Sequence, residues 1–298
     1  MTFVQRLLNV QVSLASGPEG QQRTFAESGT DTVVLSGLRM SCKIVKAGGL
    51  SDSMMDIRIW GMTASLMDQL STLGIQVNLV PKNRIVVTAG DAVAGMATVF
   101  DGYVLAAYAD YSNAPDVPFV ISAQVGIPYA VIPAVATSFR GAADVATIMA
   151  GFATLMGLRF ENNGVQKTLS NPNFSGSVKT QAQACVTAAG IEWNRGDNGI
   201  LAIWPKNGFR GGAVPLVSSS TGMVGYPTYD AYGILVKTLF NPSIGLGGKI
   251  KVESSLKRAS GEYAVYSLNH VLDAQVPNGN WFSMVGCYNP KFPTPYPR

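Results

Sequence analysis

Three stretches of this chain share one plan: an amphipathic helix, a glycine stop, then two strand-like segments. In residues 65–90 the helix runs to Gly74, and Pro81-Lys82-Asn83-Arg84 separates IQVNLV from RIVVTA. In residues 178–208 the helix ends at Gly190, and the hairpin turns at Gly196-Asp197-Asn198-Gly199. Residues 144–170 follow more loosely, with Gly157 as the stop. Glycine closes a helix because it enters the left-handed region without the Cβ penalty. Few side chains match among the three, so what recurs is architecture and not chemistry. A small α-β-β plan reused between longer β-rich stretches predicts a modular scaffold.

The first third reads as strands. In the opening MTFVQRLLNVQVSLASG, a basic Arg6 precedes apolar residues, as in a secretion signal. Asn9 and Gln11 break that run, however, and Val10, Val12 and Leu14 alternate, so a strand is expected. No stretch approaches the ~20 apolar residues of a membrane-spanning helix. Residues 32–45 place Val34, Leu38, Met40, Cys42 and Ile44 mostly on one parity, which predicts a half-buried strand. Met55, Ile57 and Ile59 predict another. Leu66, Leu70 and Leu73 form a helical stripe, with Thr63 or Ser65 to cap its start. ATVFDGYVLAAYADY and PFVISAQVG complete the β-rich region.

Residues 130–139, AVIPAVATSF, read as a linker. Beyond it, Val145, Ile148, Met149, Phe152, Leu155 and Met156 keep the 3.6-residue period behind an N-cap at Asp144. Val178, Ala182, Cys185, Val186 and Ala189 do the same behind Ser177. After a second linker, Asn207 to Gly212, come two strands around a Pro/Gly loop and two around Pro277-Asn278-Gly279-Asn280. The closing NPKFPTPYPR has four prolines and cannot continue a sheet interior. The expected fold is mainly β with an α+β insertion: a β domain over 1–135, two helix-hairpin units over 136–209, and a second β domain over 210–298.

Charged residues make up 13% of the chain, about half the ~25% usual for a soluble domain. Two readings follow. Much of the surface is covered in an assembly, since interface cores are depleted in charge, or a Gly-, Ser- and Thr-rich β surface is solvated by neutral polar groups. The net charge of +4 carries no Lys/Arg block, which argues against tight sequence-reading of nucleic acid. Cys42, Cys185 and Cys287 are odd in number and far apart, which disfavours a disulfide framework and favours folding in a reducing compartment.

Several motifs approach known chemical signatures without completing them. His270, the single histidine, has Asp273 three residues on, but no G-x-S-x-G elbow supplies a nucleophile. Asp110 and Asp116 in DYSNAPD lack calcium-loop spacing and fit a turn. In SIGLGGKI, Gly248-Lys249 imitates the end of a phosphate loop, yet Ser243 stands where glycine is required and Ile250 where Ser/Thr is required. A dinucleotide fingerprint starting from Gly245 and Gly247 also fails at Ile250. The acid pairs Glu192/Asp197 and Asp52/Asp56 are the remaining carboxylate candidates, each beside a turn or on an alternating strand. Asn173-Phe174-Ser175 is a formal glycosylation sequon. The expectation is a protein with no catalytic, cofactor-binding or metal residues.

VVLSGLRMSCKIVKAGG, MDIRIWGMTASLMDQLSTLG, the central helix-hairpin units, GILVKTLFNPSIGLGGKIKVESS and GEYAVYSLNHVLDAQVPNGNWFSMVGC follow in an order that resembles bacteriophage baseplate hub proteins. The resemblance covers roughly residues 30–287. It implies a homotrimer in which each chain carries two barrels of the tail-tube kind, so that three chains present six barrels to a six-fold tube. The opposite face would meet a spike or central fibre, and the channel would pass the tape-measure protein and then DNA without sequence-specific binding. Such a protein is folded and assembled in the host cytoplasm and resides in the virion at the tail tip. Two other readings stand beside it. One is another tail component, a tube or distal adaptor protein; the other is a virion-associated cell-wall hydrolase.

Overall fold

A computed structural model describes residues 4–17, 20–48, 51–72, 74, 82–195 and 199–290. The protein is mainly β, with 44% strand and 15% helix. The chain divides into two compact units. The first comprises residues 1–45, 53–127 and 270–282, and the second comprises 46–52, 128–269 and 283–298.

The first unit is built on β1 (Arg6–Ser13), β2 (Thr32–Leu35), β3 (Met40–Lys46), β4 (Met54–Ile59), the helix α1 (Ala64–Leu70), β5 (Arg84–Asp91), β6 (Gly95–Ala109) and β7 (Phe119–Gln124). The strands run in the order β3-β4-β7-β6-β5-β1-β2, and the pairings from β4 through β2 are antiparallel. Alternation fixes the register, because a one-residue slip would expose the whole apolar set. Val10 and Val12, Met40, Cys42 and Ile44, and Met55, Ile57 and Ile59 are all buried, as the period of two predicts.

Two local expectations change. Residues 32–45 are not one strand: Gly37 turns the chain at φ 68°, leaving β2 short and Val34 59% exposed. The helix after Thr63, whose hydroxyl accepts from the Leu66 amide, ends at Leu70 with Ser71 as its C-cap and does not reach Gly74. Ser71 Oγ donates to the Met67 carbonyl at 2.7 Å, adding a second hydrogen bond to the oxygen that also accepts from the Ser71 amide. The expected strand at 75–80 lies outside the described residues.

The second unit continues with α2 (Ile127–Val131), β8 (Thr137–Ser138), β9 (Ala142–Asp144), α3 (Val145–Leu155), β10 (Arg159–Asn162), β11 (Thr168–Ser170), β12 (Asn173–Phe174), α4 (Val178–Ala189), β13 (Ile191–Arg195) and β14 (Ile200–Pro205). Both long helices are capped as expected: Asp144 accepts from the Thr147 amide and Ser177 from the Thr180 amide, and Gly190 closes α4 at φ 58°. Val145, Ile148, Met149 and Phe152 face Ala182, Cys185, Trp193 and Ile203 in one core, and Leu155 is 62% exposed off that stripe. The second helix-hairpin pairs with itself, β13 antiparallel to β14. The first does not close as a hairpin, because β10 runs parallel to β14 while β11 folds back on β9.

The same unit holds β15 (Leu216–Ser218), β16 (Thr228–Tyr229), β17 (Ile234–Leu239), β18 (Lys249–Glu253), β19 (Gly261–Ala274) and β20 (Trp281–Tyr288). Their core gathers Val217, Ile234, Val236, Ile250, Val265, Val285 and Cys287. His270–Ala274 of β19 and Trp281–Phe282 of β20 count with the first unit.

Candidate functional site

Several of the candidate groups in the sequence make local structural contacts. Asp273 follows His270 by three positions on β19, an odd separation that places them on opposite faces of a regular strand. His270 is 3% exposed. The Asp273 carboxylate accepts from the Asn280 backbone amide at 2.7 Å and from Asn280 Nδ2 at 3.0 Å, and the Asp273 amide donates to the Asn280 carbonyl. Asp273 therefore builds the turn between β19 and β20, where Asn278 adopts φ 56°.

Asp110 accepts from the Ser112 amide and hydroxyl, which holds its carboxyl below the usual range, and Asp116 forms an ion pair with Arg39 at 2.5 Å. The two acids thus serve a turn and a surface bridge. In SIGLGGKI, Gly247 has φ 76°, and a Cβ there would lie 2.7 Å from the Trp204 ring. Glycine is needed for that packing. Lys249 Nζ sits 3.8 Å from the Phe209 ring centroid and 3.4 Å from Glu262, so it is engaged in local contacts. Asn173 lies exposed on β12.

Asp52 and Asp56 have separate partners. Asp56 accepts from Ser122 Oγ at 2.5 Å across the β4–β7 pairing. Glu192 pairs in register with Trp204, and Asp197 lies outside the described residues. Asp52 receives Lys179 Nζ at 2.6 Å and the Arg195 guanidinium, with Asp52 and Arg195 side chains only 6% and 5% exposed. Burial pushes Arg195 below the usual guanidinium range, and the adjacent carboxylate opposes that shift. Among the described residues, no group of three His, Cys, Asp or Glu side chains could hold a metal.

Two further polar arrangements, one buried and one half-buried, carry no motif in the sequence. Gln181 occupies the apolar face of α4 at 1% exposure, donates to the Val135 and Gly176 carbonyls at 3.0 and 3.1 Å, and accepts from the Thr137 amide at 3.1 Å. A glutamine one position before Ala182 was the available signal. Asp230 accepts from the Tyr266 hydroxyl and from the Tyr232 and Gly233 amides, and Tyr266 packs edge-on against Tyr232 at 5.7 Å. Tyr266 also covers Gly286, where a Cβ would meet its ring at 2.8 Å.

Several large apolar side chains are exposed. Val93 (82% exposed) tips the β5–β6 hairpin in the first unit, and Val135 (90%), Tyr226 (67%) and Tyr229 (62%) stand out from the second. No helix among the described residues is long and apolar enough to cross a membrane.

Comparison with known proteins fits a scaffold. Several solved structures share the fold. A tail protein from Neisseria meningitidis MC58 matches at TM-score 0.63 and 8% identity, covering 95% of this chain and 96% of that one. The 43 kDa tail protein of prophage MuSo2 from Shewanella oneidensis matches at 0.60 and 10%, covering 97% and 98%. The Escherichia coli c3393 protein, described as a component of the type VI secretion system, matches at 0.54 and 9%, covering 84% and 73%. No curated protein sequence matches the chain. The family model described as Baseplate hub gp41 matches residues 8–278, reaching into both units, and the chain therefore belongs to this family of phage baseplate structural proteins.

Proposed function

We propose that the protein is a homotrimeric symmetry adapter at the tail tip, joining a six-fold tail tube or distal tail protein to a three-fold spike or central fibre. In this reading residues 1–135 and 210–298 each contribute a barrel of the tail-tube kind around the 136–209 insertion. The three-chain ring encloses a channel for the tape-measure protein and then DNA, and it assembles in the host cytoplasm.

The observation that carries the reading is the family match over residues 8–278. Three further features support it. The molecule is mainly β, 13% of its residues are charged, and exposed Val, Tyr and Ile side chains offer apolar surface for neighbours. A channel must release phosphates, and each Lys or Arg contact adds salt-sensitive affinity. The net charge is small at +4, and no Lys/Arg block concentrates such contacts. The c3393 protein is described as structurally similar to T4 bacteriophage tail proteins gp27 and gp5, and the likeness to it supports a place in a tail assembly.

Mass in solution and a ring image test the reading together. A species of about three times the 31.5 kDa of one chain, with a central hole, is expected. A monomer that persists at high concentration and in the presence of tube and spike proteins would overturn it.

A further inference from the structure

We draw no further inference here: the strongest candidate, the charge-free tip of the β5–β6 hairpin, where Val93 stands 82% exposed on a turn that Asp91 fixes by accepting from the Val93 and Ala94 amides, is an unpartnered apolar surface, and nothing in the structure shows what covers it.

Discussion

Asp52 and Arg195 meet as an ion pair in which both side chains are almost wholly shielded, and Lys179 Nζ reaches the same carboxylate at 2.6 Å. Removing this acid takes from the buried guanidinium the carboxylate that faces it and leaves the Lys179 ammonium nearby. Such a deletion costs about 3–5 kcal/mol when the surviving charge stays buried. Asp52→Asn is therefore expected to lower the unfolding free energy by about that amount in a denaturant titration. Lys179→Met should cost much less, because Lys179 is more exposed and Asp52 keeps Arg195. A loss below about 1 kcal/mol for Asp52→Asn would show that the pair contributes little.

Gln181 ties residues 135–137 to α4 through three hydrogen bonds made inside the fold. Gln181→Leu keeps similar bulk and removes all three hydrogen bonds, each worth about 0.5–1.5 kcal/mol net, while the Gly176 carbonyl still accepts from the Ala134 amide. We expect a loss of at least about 2 kcal/mol and faster hydrogen exchange at the Thr137 amide. Unchanged exchange at Thr137 would mean that the pairing of β8 with β12 suffices to hold the segment.

Two glycines separate conformational strain from steric exclusion. Gly190 has φ 58° and open space around the position of a Cβ, so Gly190→Ala is expected to cost only the left-handed penalty of about 1–2 kcal/mol. At Gly90 a Cβ would fall 1.9 Å from the Gly95 carbonyl oxygen, a backbone atom that no rotamer can move. Gly90→Ala should therefore exceed Gly190→Ala in thermal shift. The reverse order would contradict the close approach of β5 to β6.

Arg210 donates two hydrogen bonds to Glu161, at 3.1 and 2.7 Å, and with Asn163 it holds the Glu161 carboxyl below its ordinary value of 4.5. The folded value is depressed, so the contribution to stability is fully present above pH 4.5 and is lost as pH falls through the folded value. The side chain is 32% exposed, and solvent screening keeps the effect small. Glu161→Gln should flatten this acid limb and leave the stability change between pH 6 and pH 8 unaltered. A steeper limb in the variant would reverse the assigned sign.

None of the three cysteines is in a disulfide and all are buried, and burial pushes the Cys185 thiol up to about 12 and raises the Cys287 thiol as well. The thiolate is the reactive form. Native protein at pH 8 should resist alkylation at Cys42, Cys185 and Cys287 and should label at all three once unfolded. Rapid native labelling at Cys185 would indicate that the core between α3 and α4 opens readily.

Local order and periodicity were legible in the sequence. The period of two at Met55, Ile57 and Ile59, and the caps at Asp144, Ser177 and Gly190, depend on neighbours within a few residues, so the residues themselves determined them. So did the absence of nucleophile, phosphate-loop and calcium-loop spacing, which is a property of residue order. Only tertiary structure decided which strands pair. β10 lies parallel to β14 across a long excursion, and no local pattern distinguishes that from a hairpin with β11. It likewise decided that Asp52, 127 positions before Lys179 and 143 before Arg195, receives both cations. Burial of a charge is favourable only where distant chain segments bring its partner, and that depends on the packed fold and not on sequence spacing.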